Sequence, residues 1–117
     1  MKVIKMSEVQ SEEATSDLFE GKVTRRPLIT SEMSADFRAN LVAFNPGARN
    51  VFHSHTNDQV LYVTEGKGIV ATKEEEQAVM PGMIIFIPAG ELHWHGATTD
   101  SSFAHIAFSI PGAKTTF

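Results

Sequence analysis

The chain has 117 residues, 42% hydrophobic and 21% charged, with a net charge of −4 and no cysteine. That length sets one domain with one core, and the ten scattered lysines and arginines form no basic stripe, so nucleic acid is not an expected partner. Without cysteine there are no disulfides, thiolate metal sites or thiol nucleophile, and metal donors must be imidazole, carboxylate or amide groups.

The opening Met1–Glu8 lacks the apolar run of a signal peptide, and no segment approaches transmembrane length. The expectation is a cytoplasmic protein with no membrane partner. Residues 1–20 read as an N-terminal arm. Ser7 and Ser11 can cap a helical turn, Glu12 and Glu13 suit its start, and a short strand fits equally well before Gly21.

From Gly21 the chain reads as strand, turn, strand, and the barrel is expected over 21–112. The first strand, 22–29, carries Pro27, which confines it to an edge or a bend. Residues 37–44 alternate, with Arg38, Asn40, Val42 and Phe44 on one face, and Asn45-Pro46-Gly47 ends the strand. Strands follow at 51–55 and 59–64, then a hairpin signal at Glu65-Gly66-Lys67-Gly68 and a strand at 69–72. The acidic run Glu74-Glu75-Glu76 reads as a solvated hairpin tip. Pro81-Gly82 turns into 83–87, Pro88-Ala-Gly90 leads to 93–96, and a last strand, 103–110, closes at Pro111-Gly112. Residues 113–117 read as a loose tail. Nine or ten short strands without a long helix predict an all-β sandwich or barrel, and closure removes exposed strand edges.

Four of the five histidines fall in two patches, Gly47-Ala-Arg-Asn-Val-Phe-His53-Ser-His55-Thr-Asn-Asp-Gln59 and Pro88-Ala-Gly-Glu-Leu-His93-Trp-His95; the fifth is His105. In a strand, His53 and His55 project from one face about 6.6 Å apart at Cα. Two imidazoles so placed can share one ion at about 2.1 Å. Gln59 rejoins that face after the turn at 56–58, and His93 from a later strand completes three nitrogens and one amide oxygen. The rival reading, exposed histidines on a half-buried strand, fits a lone His better than this set.

The spacing of Gly47, His53, His55, Gln59 and Gly66 resembles the first motif of the cupin superfamily. That of Gly82, Pro88, Gly90 and His93 resembles the second. Glutamate is usual where Gln59 stands, and the asparagine often found four residues after the last ligand is Ala97. The resemblance implies a conical jelly-roll β-barrel with one divalent metal in its mouth, held by His53, His55, Gln59 and His93. Manganese is the first expectation, and iron, nickel, zinc or copper also suit these donors. A narrower resemblance runs through Asp17–Val23, Pro46–Arg49, His93–Ala97 and Ala104–Ala107, to small cupins near carboxymuconolactone decarboxylase. These include manganese-dependent hydroxynitrile lyases, which also use Gln as fourth ligand. Pectin-pathway cupins share the His-X-His and Gln pattern but carry an Asp and an Arg in the last strand that are absent here. The resemblance further implies a homodimer, with the N-terminal strand crossing to the partner.

Strand parity turns His105 and His95 towards the metal cavity, with Trp94 outside; each is a candidate general base or a residue that orients ligands. The resembling lyases carry a His at the position of His105. Asn40, Val42, Phe44, Leu61 and Ser109 are the expected substrate lining, mostly apolar and suited to a compact organic molecule. Three functions follow: a metal-dependent lyase or isomerase acting on a small carbonyl or hydroxy compound, a dioxygenase, or a non-catalytic module that binds a small metabolite.

Overall fold

The computed structural model describes residues 1–117 and is almost wholly β. A single 3₁₀ turn, Met6–Glu8, precedes thirteen strands. They are β1 (Glu12–Glu13), β2 (Phe19–Glu20), β3 (Val23–Ile29), β4 (Arg38–Phe44), β5 (Arg49–Asn50), β6 (Ser54–His55) and β7 (Gln59–Gly66), then β8 (Gly68–Ala71), β9 (Glu76–Val79), β10 (Ile84–Ile87), β11 (Trp94–Ala97), β12 (Phe103–Ser109) and β13 (Thr115–Thr116). They form a six-stranded sheet in the order β1-β3-β4-β12-β7-β10, a five-stranded sheet in the order β2-β5-β11-β8-β9, and the small pair β13-β6. Every pairing is antiparallel. This is the jelly-roll barrel expected of the sequence.

Alternation decides which residues fill it. Val23, Val42, Phe44, Val63 and Phe103, with Ala48, Val79 and Ala97, pack into one apolar cluster. Phe44 and Phe103 stack with ring centroids 5.8 Å apart, which closes that part of the barrel. Two glycines permit the close approach of backbones. A Cβ on Gly66, whose φ is +73°, would sit 1.8 Å from the Ser102 carbonyl oxygen, and one on Gly96 would sit 2.5 Å from Arg49 Cβ. Pro27 lies at a register shift between β3 and β4, so the residue without an N–H falls where the ladder is already broken.

The arm takes both forms the sequence allowed, a helical turn and short strands, whereas the tail differs from expectation. The arm lies on its own barrel: Glu12 and Glu13 pair with Arg25 and Thr24, and Phe19 and Glu20 pair with Asn50 and Arg49. Arg26 Nη1 donates to the Met6 carbonyl and anchors the 3₁₀ turn. The tail, expected to be loose, forms β13 against β6, with Thr115 opposite His55 and Thr116 opposite Ser54. Reciprocal backbone and side-chain hydrogen bonds between Thr56 and Lys114 secure it. A two-residue strand carries no hydrophobic period, so composition could not reveal it.

The outer face of the six-stranded sheet is apolar and exposed on its β10-β7-β12 side. Ile84, Tyr62 and Ile106 lie side by side across β10, β7 and β12, and so do Phe86, Val60 and Phe108. Ile84 and Phe86 are 67% and 61% exposed. No helix is long and apolar enough to cross a membrane.

Candidate metal centre

The two histidine patches meet through the backbone. His53 and His93 form an isolated antiparallel bridge, each N–H donating to the other's carbonyl at 2.9 Å. The Gly90 N–H donates to the His55 carbonyl, and the Ala89 N–H donates to Asp58 Oδ1, both at 2.9 Å. The turn residue Asp58 therefore ties the first motif to the second.

One nitrogen of each imidazole is committed. His53 Nδ1 donates to the Val51 carbonyl at 2.7 Å, and His93 Nδ1 donates to the Glu91 carbonyl at 2.8 Å. His55 Nδ1 lies 3.0 Å from Thr115 Oγ1. A carbonyl can only accept, so His53 and His93 carry their proton on Nδ1 and present an unprotonated Nε2. The Nε2 atoms of His55 and His93, and Gln59 Oε1, are buried without hydrogen-bond partners. The three histidines offer ligand atoms within 4.8 Å of one another. Buried acceptors without donors are costly, and a cation shared by three imidazoles and one amide oxygen satisfies them. The donor set fits a divalent transition metal. It does not choose which one.

Burial keeps these rings neutral, which metal binding requires. His53 is pushed down to about 4, chiefly by burial, and the Val51 carbonyl opposes that only in part. His93 is lowered by burial. His55 is lowered by burial and then by His93, with Gln59 beside it opposing.

Two further imidazoles lie deeper. His105 Nε2 is 3.1 Å from His95 Nδ1, and His105 Nδ1 is buried without a partner. Asn50 Oδ1 accepts the His95 backbone N–H at 2.8 Å, which fixes the amide so that Nδ2 faces the His95 ring. Burial pushes His105 down to about 3 and holds His95 well below its usual value. Trp94 points to the other side, as its parity requires. It is nonetheless buried, because the Arg49 guanidinium covers its ring at 3.8 Å.

A cavity of about 230 Å³ opens over these groups. His53, His55, Gln59, His95 and His105 line it, with Asn40, Val42 and Ser109. Phe44 and Leu61 do not. Both are inward but fully buried: Phe44 packs under His95 and His105 at 5.9 and 5.6 Å, and Leu61 lies between Ile85 and Ala107. The expected apolar lining is also corrected, since only five of the sixteen lining residues are hydrophobic. Arg25, Asn50, Asn57 and Thr115 supply polarity, and Leu18 and Phe19 of the arm supply part of the apolar wall. Arg25 and Asn50 were within reach of strand parity. Thr115 was not, because nothing in its neighbourhood signals a strand.

Residues 40–108, more than half of the chain and the stretch that carries every candidate ligand, match the family described as the cupin domain. The chain belongs to the cupin family. It is 32% identical over 108 residues to the (R)-mandelonitrile lyase of Granulicella tundricola, covering 92% of this chain and 82% of that one. A cupin-like protein from Thermotoga maritima is 33% identical at a TM-score of 0.80, covering 87% of this cupin and 81% of that chain. The polyketide cyclase RemF from Streptomyces resistomycificus superposes at a TM-score of 0.86 over 100% of this cupin and 86% of its own chain. At 23% identity it shares the fold alone.

Proposed function

We propose that this cupin is a metal-dependent lyase acting on a small hydroxy or carbonyl compound, in the manner of a hydroxynitrile lyase. The observation that carries the reading is the convergence of three imidazoles, His53, His55 and His93, of which His53 and His55 line one cavity together with two further buried imidazoles, His95 and His105. The similarity to a mandelonitrile lyase supports it. His53, His55, Gln59 and His93 would hold the ion, with manganese the first to try. When bound, it supplies Lewis-acid polarisation of a substrate oxygen.

The remaining work falls to the chain's own residues. For a cyanohydrin, His105 takes the hydroxyl proton, the bond to the nitrile carbon breaks, and cyanide leaves with the bonding pair as the carbonyl forms. The same proton then passes to cyanide and gives hydrogen cyanide. Burial disfavours the His105 imidazolium, so the ring rests neutral. His95, held by Asn50, fixes the orientation of His105. Release of cyanide from a cyanohydrin by the Mn²⁺-loaded protein tests this. Bound metal without cleavage under any loading would contradict it.

We further propose that two copies associate through the apolar outer face around Ile84 and Phe86, since so continuous a patch is unusual on a chain that works alone.

A further inference from the structure

The cavity has one formally charged side chain in its wall, the guanidinium of Arg25, and no carboxylate. The arrangement runs against the net charge of the chain, which is −4. A shallower depression continues outward from the same mouth, sharing Arg25, Asn40 and Ser109; it adds Arg38 and again has no acid in its wall. No Asp or Glu lines either depression, while two arginines do, and the one carboxylate nearby is that of Glu12, paired with Arg25.

Register places Arg25 with respect to the chemistry. Arg25 pairs with Val42 across β3 and β4, and Val42 pairs with His105 across β4 and β12. Arg25 and His105 therefore lie in one row on the inner face, two strand spacings or about 10 Å apart at Cα. Both side chains line the same cavity, so a molecule of a few carbons lying in it meets both groups.

The guanidinium is held ready rather than consumed. Its Nε and Nη2 both donate to Glu12 Oε1, at 3.1 and 2.6 Å, and Nη1 donates to nothing in the chain. Glu12 lies opposite Arg25 on the edge strand β1, and the two side chains are about half exposed. A pair so exposed contributes little and competes weakly with a ligand carboxylate. A guanidinium fork matches a carboxylate in shape as well as charge.

We propose that the substrate of this site is an anion, a small hydroxy or oxo carboxylate whose carboxylate is received by Arg25 while its oxygen function lies under the histidines. The proposal rests on the lyase reading for the bond that reacts, but not for the recognition of charge.

The test compares equilibrium binding of two probes of one shape, 4-oxopentanoate and the neutral hexane-2,5-dione, by calorimetry on the Mn²⁺-loaded protein. The expected result is that the carboxylate binds more tightly, on the order of ten- to a hundredfold. Arg25→Gln abolishes the preference and leaves the metal content unchanged. Glu12→Gln, which removes the competing carboxylate, strengthens it by about two- to fivefold and keeps the inference testable should the Arg25 variant fold poorly. Equal affinity for the two probes would overturn the inference, and so would a preference that survives undiminished in Arg25→Gln. A preference that depends on Arg25, in a protein that cleaves no cyanohydrin, would sink the lyase reading and uphold the anion site.

Discussion

His53 and His93 exchange both of their backbone hydrogen bonds, at 2.9 Å each, and their rings stand 4.2 Å apart between centroids. The two cupin motifs are thus joined at their ligands. The bridge is made of main chain, so it survives substitution of either side chain, and loss of metal in such variants can be read without loss of fold.

The tail bears on the same centre. Thr115 Oγ1 stands against His55 Nδ1, and β13 holds it there. Thr115→Val keeps the shape and removes the hydroxyl, and the expected outcome is metal binding weaker by roughly tenfold or more. Competition with a chelator measures it. Removal of residues 113–117 should do at least as much, and unchanged affinity in both would show that the tail is mere packing.

His105 is the residue expected to separate binding from turnover. His105→Ala should retain one ion per chain and lose turnover by about 10²- to 10⁴-fold. Asn50→Ala frees the His95 ring and should lower turnover less, with metal content again unchanged. An active His105→Ala protein would assign proton transfer elsewhere.

The fold was legible because the signals were local. Glycine turns at Gly47, Gly66 and Gly82 separate short alternating runs, and the parity of His53, His55, Gln59 and His105 put their side chains on one side. What escaped was set by non-local packing. Leu61 has inward parity like Gln59, but neighbouring strands seal it off, and depth cannot be read from alternation. Arg25 shares the inward parity of Val23, and a long charged side chain at the rim reads like any surface arginine until its neighbours are known. Thr115 sits in a two-residue strand that exists only because β6 is there to pair with it.

Stability of the metal-free protein should fall with acid. The unfolded chain takes up a proton on His105 at about 6.5, whereas the folded chain does so only at about 3. Between those values the unfolded state binds more protons, so stability drops as the pH falls through that window. His53, His55, His93 and His95 are lowered as well and act in the same direction. Thermal unfolding after chelation should show a Tm lower by roughly 10 °C at pH 4.5 than at pH 7.5. His105→Phe should flatten that dependence, and an equally steep curve in the variant would remove His105 from the account.

Association through the outer face has its own test. Phe86→Glu places a charge among Val60, Tyr62, Ile84 and Phe108 without touching the cavity. Sedimentation should show dimer for the parent chain and monomer for the variant, with metal content unchanged. A monomeric parent would contradict the proposed interface.

The most direct test of the central claim is the metal content of purified, untagged protein by elemental mass spectrometry, for the parent chain and for His53→Ala and His93→Ala. One divalent ion per parent chain and close to none in either variant is the predicted result. A parent chain that takes up no ion under any loading, or a variant that keeps its ion, would contradict the site.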